Sequence, residues 1–338
     1  MISAATQSVW RTFSWLRAKN AWQVWRSFRA ARLGRGVAHA GLPISISVEP
    51  TTTCNLRCPQ CPSGLRQFSR PTGAMQSDTF LRLLDELSPT LAYLLFYFQG
   101  EPYLNLRFLD WVAAAHQRHI FTATSTNAHY LTPENAQRTV RSGLDQLIVS
   151  LDGVTQESYA AYRVGGKLEK VQTGIQNVLQ ARRTARAQTP RVVLQFIVFR
   201  HNEDQIEAVR QLGKAWGVDQ VSIKTAQIYD YATSHELIPH NDRYSRYRKD
   251  ALGYYHIKNE LLSHCWRMWH SAVITWDGRV VPCCFDKDAR YQMGQLNEQS
   301  FEEIWRGEKY QKFREQIFSQ RDQIDICKNC TEGTQVWV

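Results

Sequence analysis

The chain has 338 residues, room for about two domains, and 43% of them are hydrophobic, which excludes a disordered or collagen-like polymer. Lys and Arg number 41 against 31 Asp and Glu, but residues 1–42 hold seven of those cations and no acid, so the remainder carries only +3 of the net +10. A nucleic-acid partner is therefore not expected for the body of the protein, and the longest apolar run, over 91–98, is far short of the roughly 20 residues that cross a bilayer.

Residues 9–33 contain no Gly or Pro and predict a helix, the core of a basic extension spanning 1–42. Trp10, Trp15, Trp22 and Trp25 lie in it, and Trp10, Phe13, Val24, Trp25 and Phe28 share one broad arc at 100° per residue. Such a helix either packs across the body of the fold or onto a partner, or lies at a membrane surface with Trp and Arg at headgroup depth; an Arg-rich transit peptide is a third reading. From residue 44 the pattern becomes short apolar strands alternating with helical stretches. Strands are expected at 44–48, 91–98, 119–125, 146–151, 192–199 and 220–225, rich in β-branched and aromatic residues. Between them, Phe80, Leu83, Leu84 and Leu87 follow an expected N-cap at Ser77, and Phe108, Leu109, Val112 and Ala115 form a second stripe. Val171, Ile175, Val178 and Leu179 form a third. This alternation calls for a parallel sheet with right-handed crossovers, either open and doubly wound or an incomplete barrel.

Residues 229–262 are polar and aromatic without a clear period and read as a bridging segment. Strands at 271–276 and 279–282 follow, joined at Asp277-Gly278, a hairpin signal. A helix is expected at 301–318. The resulting division is 1–42, 43–228, 229–262 and 263–338.

The eight cysteines are grouped. The N-terminus lacks the apolar stretch and small-residue cleavage site of a secretory signal, so a reducing, cytoplasmic setting is expected, where clustered cysteines bind metal or do chemistry. Cys54, Cys58 and Cys61 form C-x3-C-x2-C in the loop after the first strand. Three thiolates can hold three irons of a [4Fe–4S] cubane, which normally takes four. With no fourth cysteine nearby, one iron keeps an open position for chemistry.

The segment SVEPTTTCNLRCPQCPSG over 47–64 resembles the cluster loop of the radical S-adenosylmethionine (SAM) enzymes. FQGEP over 98–102 is similar to the family's GGEP, and STN at 125–127 and SLDG at 150–153 are similar to its SAM-contacting segments. All four sit in order at the ends of predicted strands, where a barrel places its active site. The resemblance implies a partial (β/α)6 TIM-like barrel. It also implies catalytic Cys54, Cys58 and Cys61, whose cluster binds SAM through its open iron and cleaves it reductively to a 5′-deoxyadenosyl radical. Gly100 and Glu101 would hold the methionine ammonium, and Ser125, Asn127, Ser150 and Asp152 the rest of SAM. Gln99 replaces the family's first Gly. Gln60 stands where an aromatic residue often contacts adenine.

Cys265, Cys283, Cys284, Cys327 and Cys330, together with DGRVVPCCFD, GQLNEQSFEEIW and C-K-N-C, resemble the SPASM domain that accompanies many of these enzymes. The resemblance implies a small C-terminal domain in which Cys265, Cys283, Cys327 and Cys330 ligate one auxiliary [4Fe–4S] cluster, active in electron transfer or structure. Cys284 reads as a small buried hydrophobe and stands where relatives carry a basic Asp. The expected function is hydrogen abstraction from an organic substrate, small-molecule or lipid-linked, fed by an electron donor such as flavodoxin or ferredoxin. The extension's basic Trp-rich helix leans toward the lipid-linked substrate, and peripheral contact with the inner membrane face is one reading of it. A peptide-modifying enzyme is the alternative, and a non-catalytic iron–sulfur protein the alternative of another class.

Overall fold

The computed structural model describes residues 11–232 and 235–330. Helix α1 (Trp15–Arg32) precedes six strands: β1 (Ser45–Val48), β2 (Tyr93–Phe96), β3 (Phe121–Thr126), β4 (Gln146–Ser150), β5 (Arg191–Val198) and β6 (Gln220–Thr225). All six pair in parallel with their sequence neighbours. An unreversed order has no switch point, so every right-handed crossover lays its helix on the same side. This selects the partial barrel over the doubly wound sheet. The outer layer comprises α3 (Ser77–Leu87), α4 (Phe108–Gln117), α5 (Pro133–Arg141), α7 (Leu168–Thr184) and α8 (Ile206–Trp216); the short α2 (Pro62–Leu65) and α6 (Gln156–Tyr162) sit in loops. The three predicted apolar stripes are buried, with Trp111 added to the second. Ser77 proves to be the first helical residue and Gln76 the N-cap; the Ser77 hydroxyl instead accepts the Trp111 indole N–H at 3.0 Å.

The C-terminal region is not a separate layer. After the short helix α9 (Arg267–His270), β9 (Ser271–Ile274) pairs in parallel with β1. Strand β10 (Arg279–Val281) pairs antiparallel to β9, and β11 (Gly294–Gln295) to β10, giving one nine-stranded sheet. The bridging segment, expected to be irregular, holds a hairpin of β7 (Tyr247–Lys249) and β8 (Tyr255–Ile257). The single helix expected at 301–318 is two, α10 (Phe301–Arg306) and α11 (Glu308–Gln320), because extended Gly307 interrupts it.

Residues 11–12 are helical, the chain breaks at 13–14, and α1 follows Ser14, whose side chain caps it; Val9 and Trp10 lie outside the described residues. It buries Arg17, Asn20, Val24, Ser27, Phe28 and Ala31. Of the residues that share the expected arc, Val24 and Phe28 are buried, whereas Phe13 and Trp25 are about half exposed. Arg17 sets this orientation, for its guanidinium donates to the carbonyls of Ser88, Arg118 and His119. Ser88 and Arg118 close α3 and α4, where free carbonyls and the helix dipole favour a cation. Among the described residues no helix is long and apolar enough to cross a membrane.

Candidate active site

The loop leaving β1 is closed on itself before it presents its cysteines. Thr51 Oγ1 donates to the Gly73 carbonyl at 2.9 Å, the Met75 amide donates to Pro50 at 3.0 Å, and Thr51 bridges Ala74. Cys54, Cys58 and Cys61 hang inside this closure as free thiols and line one pocket with Glu101, Ser125, Asn127, Ser150 and Arg163. Gly64 must be glycine for backbone to pass there, since a Cβ would come within 2.5 Å of the Cys58 amide nitrogen. Burial pushes Cys54 up to about 12 and raises Cys58. Such thiols ionise only against a strong local positive charge, which bound iron supplies. Among the described residues no three His, Cys, Asp or Glu side chains converge on a single ion; a cubane asks instead that each sulfur meet its own iron. The donor set fits the cluster.

Across the pocket, the turn after β2 brings in Gly100, at φ +74°, and Glu101. A Cβ on Gly100 would lie 2.2 Å from the Thr51 carbonyl oxygen, so the glycine lets this turn touch the cysteine loop, and the Glu101 amide donates to Thr53 at 2.8 Å. The Glu101 carboxylate is buried and accepts from the Thr126 hydroxyl (2.7 Å) and the Asn127 amide (2.8 Å). These donors are neutral, and burial dominates, pushing the group up to about 7. A buried carboxylate that faces the cysteine pocket and is hydrogen-bonded by neutral donors, with Arg163 acting on it only through its field, is chemically suited to an ammonium ligand. Asn127 reaches the other way, its Nδ2 3.8 Å from Cys54 Sγ and 2.8 Å from Asn55 Oδ1.

Arg163, the residue that caps the C-terminus of α6, was not foreseen from the sequence. Its Nη1 approaches Cys58 Sγ at 3.9 Å and its Nε donates to Asp152 Oδ2 at 2.5 Å. Asp152, expected to touch SAM, does not line the pocket. Its other oxygen accepts the Ile197 amide at 2.8 Å, so it acts on the pocket by holding Arg163. Ser125 and Ser150 do line it. Gln60 accepts the Tyr229 amide at 3.1 Å, which ties the cysteine loop to the chain after β6.

The C-terminal cysteines gather around Arg321. Its Nη2 lies 3.7 Å from Cys330 Sγ, and Cys265, Cys327 and Cys330 together raise its pKa. Cys283 hydrogen-bonds Cys284, which with burial drives its pKa well up, and the charge of Cys265 acts in the same direction. Cys265, Cys327 and Cys330 are buried. Cys284 packs beside Phe98, Val273, Val281 and Ala289. Between the two cysteine sets lies a cleft of about 530 Å³ bounded by Gln60, Pro62, Tyr229, Phe285, Lys287 and Asn329. The Lys287 ammonium sits 4.6 Å over the Tyr229 ring.

Two family models match the chain. The family model of the Radical SAM superfamily matches residues 48–213, and that of the SPASM iron–sulfur cluster-binding domain matches 265–331. A tungsten-containing aldehyde ferredoxin oxidoreductase cofactor-modifying protein of Pyrococcus furiosus is 27% identical over 300 residues, 79% of this chain and 82% of that one. Two solved structures share the fold at low identity. BtrN in complex with AdoMet and 2-DOIA has a TM-score of 0.53 and 20% identity, covering 86% of this chain and 94% of its own. Native anSMEcpe with bound AdoMet and Cp18Cys peptide has a TM-score of 0.58 and 15% identity, covering 87% and 91%.

Proposed function

The chain belongs to the radical SAM superfamily, carries a SPASM domain, and uses SAM with [4Fe–4S] chemistry; on that premise we propose that it oxidises a small organic molecule held in the cleft between its two cysteine sets. The observation that carries the proposal is the single pocket onto which Cys54, Cys58, Cys61, Glu101 and Arg163 all open. When bound at the three thiolates, the cluster supplies the electron that breaks the SAM sulfonium and so makes a hydrogen-abstracting radical. Glu101 takes the methionine ammonium, replacing neutral donors by a charge-assisted bond. Arg163, aimed by Asp152, meets the methionine carboxylate. Ser125, Asn127 and Ser150 fill the remaining polar positions around the ligand. Gln60, engaged with the Tyr229 backbone, shapes the cleft instead of stacking on adenine.

In this reading, Cys265, Cys283, Cys327 and Cys330 would hold one auxiliary cluster, and that group would supply an acceptor for the electron a substrate radical gives up as it loses a proton, a net two-electron oxidation. A flavodoxin or ferredoxin would supply the electron to the cluster at Cys54, Cys58 and Cys61. A small soluble substrate is favoured over a lipid-linked one because α1 lies against the N-terminal ends of the strands, far from the cleft. A peptide substrate is the second reading, supported by the cleft's opening to solvent and by the peptide bound to anSMEcpe.

The test is anaerobic reconstitution followed by SAM and dithionite, with 5′-deoxyadenosine, iron and sulfide quantified. Two cubanes give roughly eight irons per chain, and 5′-deoxyadenosine should form. Cys54→Ala should abolish the product and retain roughly four irons. SAM bound but left intact would instead support a non-catalytic iron–sulfur protein.

A further inference from the structure

We propose that the outward face of α1 seats the protein on the surface of an anionic phospholipid bilayer. Its buried face mixes Arg17, Asn20 and Ser27 with Val24, Phe28 and Ala31, while Trp15, Trp22, Trp25 and Leu33 are 82%, 53%, 47% and 60% exposed. At 100° per residue these four fall within about a quarter turn, opposite the buried face. The orientation is fixed. Arg17 is bound to three carbonyls at the ends of other helices, and Asn20 exchanges two hydrogen bonds with the Leu42 backbone at 2.9 and 2.7 Å. Rotating α1 to hide its tryptophans would leave the Arg17 guanidinium and those carbonyls without partners. The exposure is therefore a property of the docked helix.

Charge selects the occupant. Residues 11–42 hold seven cations and no acid. Arg11 is committed to Asp145 at 2.6 Å and Arg17 to carbonyls, which leaves Lys19, Arg26, Arg29, Arg32 and Arg35 on the surface. Arg26 lies 4.7 Å over the Trp22 ring and Arg29 5.4 Å over Trp25. An indole at headgroup depth beside a guanidinium that can reach lipid phosphate is the arrangement an interfacial helix requires. Beside these pairs, Trp25, Phe28, Leu33 and Trp266 line an apolar groove of about 540 Å³ flanked by Arg29 and Arg32, room for the upper part of an acyl chain below a phosphate. A protein partner would more commonly meet a mixture of charges, and this face offers one sign only. Because α1 covers the N-terminal ends of the strands, a bilayer beneath it leaves the catalytic cleft facing the aqueous phase.

The test is sedimentation of the full reconstituted chain with vesicles of 70:30 POPC:POPG and with pure POPC, at low and high salt, with tryptophan emission followed. Binding to POPG vesicles with a blue shift, weakened by salt and absent on POPC, is expected. Trp15→Ala, Trp22→Ala and Trp25→Ala combined should lower the partition coefficient by roughly tenfold or more, and Arg26→Glu with Arg29→Glu by a similar factor. Circular dichroism and 5′-deoxyadenosine formation should stay at wild-type levels, which separates lost docking from lost folding. Failure of the wild-type chain to sediment with POPG vesicles overturns the proposal. So does undiminished binding in both variants, or salt-sensitive binding to RNA in place of vesicles.

Discussion

Glu101 shows how much of the chemistry depends on one residue's surroundings. Burial lifts its pKa to about 7, and an ammonium ligand needs the carboxylate form. SAM affinity should therefore fall as pH drops below about 7, by nearly tenfold per unit once the acid form dominates, and level off above it. Binding below pH 7 should release a proton. Equilibrium titration of SAM into the reconstituted protein between pH 5.5 and 8.5 checks this, and a flat profile would sink it. Glu101→Gln should flatten the profile and weaken binding by about 10–100-fold, the worth of one charge-assisted bond. Arg163 and Asp152 make a second case. Arg163→Met removes the carboxylate partner and strands a buried anion, so it should weaken SAM binding and cost about 3–5 kcal/mol of stability. Adding Asp152→Asn should restore much of the stability and none of the affinity, a double-mutant cycle measured by denaturation and by SAM titration. The cysteines, Gly100 and Glu101 were legible in the sequence because their chemistry is packed into a few adjacent positions. Arg163 was not, because it lies eleven residues past Asp152 at a helix end, where an arginine also serves merely to close a helix.

At the scale of elements, the apolar periodicities of α3, α4 and α7 could be read because each element buries one continuous stripe. Helix α1 left that reading open between packing and a membrane surface. A buried arginine looks like a solvent-facing one until the carbonyls it serves are in place, and a tryptophan suits either face. The hairpin of β7 and β8 was missed because strands of three residues leave no period to detect. A further link between elements was equally invisible. Glu49, just past β1, receives a bidentate bond from Arg70 at 2.6 and 2.8 Å, and both side chains are almost wholly buried. Glu49 also accepts the Trp276 amide at 3.1 Å, and Arg70 Nε donates to the Lys287 carbonyl at 2.8 Å. One ion pair thus joins the cysteine loop, the C-terminal hairpin and the cleft wall. Arg70→Met should destabilise the protein by about 3–5 kcal/mol, since it leaves Glu49 buried and uncompensated. Combined with Glu49→Met, the loss should be smaller than for Arg70→Met alone. Chemical denaturation of the three variants decides it, and additive losses would show that the two side chains act independently.

At the scale of the whole molecule, the order of motifs along the chain revealed the barrel but not how it is closed. Sequence reading separates a barrel from a C-terminal iron–sulfur domain because the cysteines fall into two groups. The structure instead lays β9 beside β1 in the same sheet. It also inserts the C-terminal tryptophans beneath the N-terminal extension. Trp269 and Trp305 are fully buried; the first lies 5.5 Å from Phe28, the second 5.1 Å from His39, and the Trp305 indole donates to the Gly41 carbonyl at 3.3 Å. A buried aromatic of this size removes about 150–250 Å² from water, on the order of 4–6 kcal/mol at 25 cal/mol per Å². The surface such side chains cover on the rest of the chain is of the same order. Against a total stability of roughly 5–15 kcal/mol for a domain, losing two such contacts and baring the whole edge of β1 is not survivable. A chain cut after residue 262 should therefore aggregate through the freed edge and fail to bind SAM, although every residue of the SAM pocket is retained. Size-exclusion chromatography, thermal unfolding and iron content of the truncated chain measure this. A monomer that unfolds cooperatively and carries roughly four irons would show instead that the barrel stands alone and that the shared sheet only docks the second cluster against it.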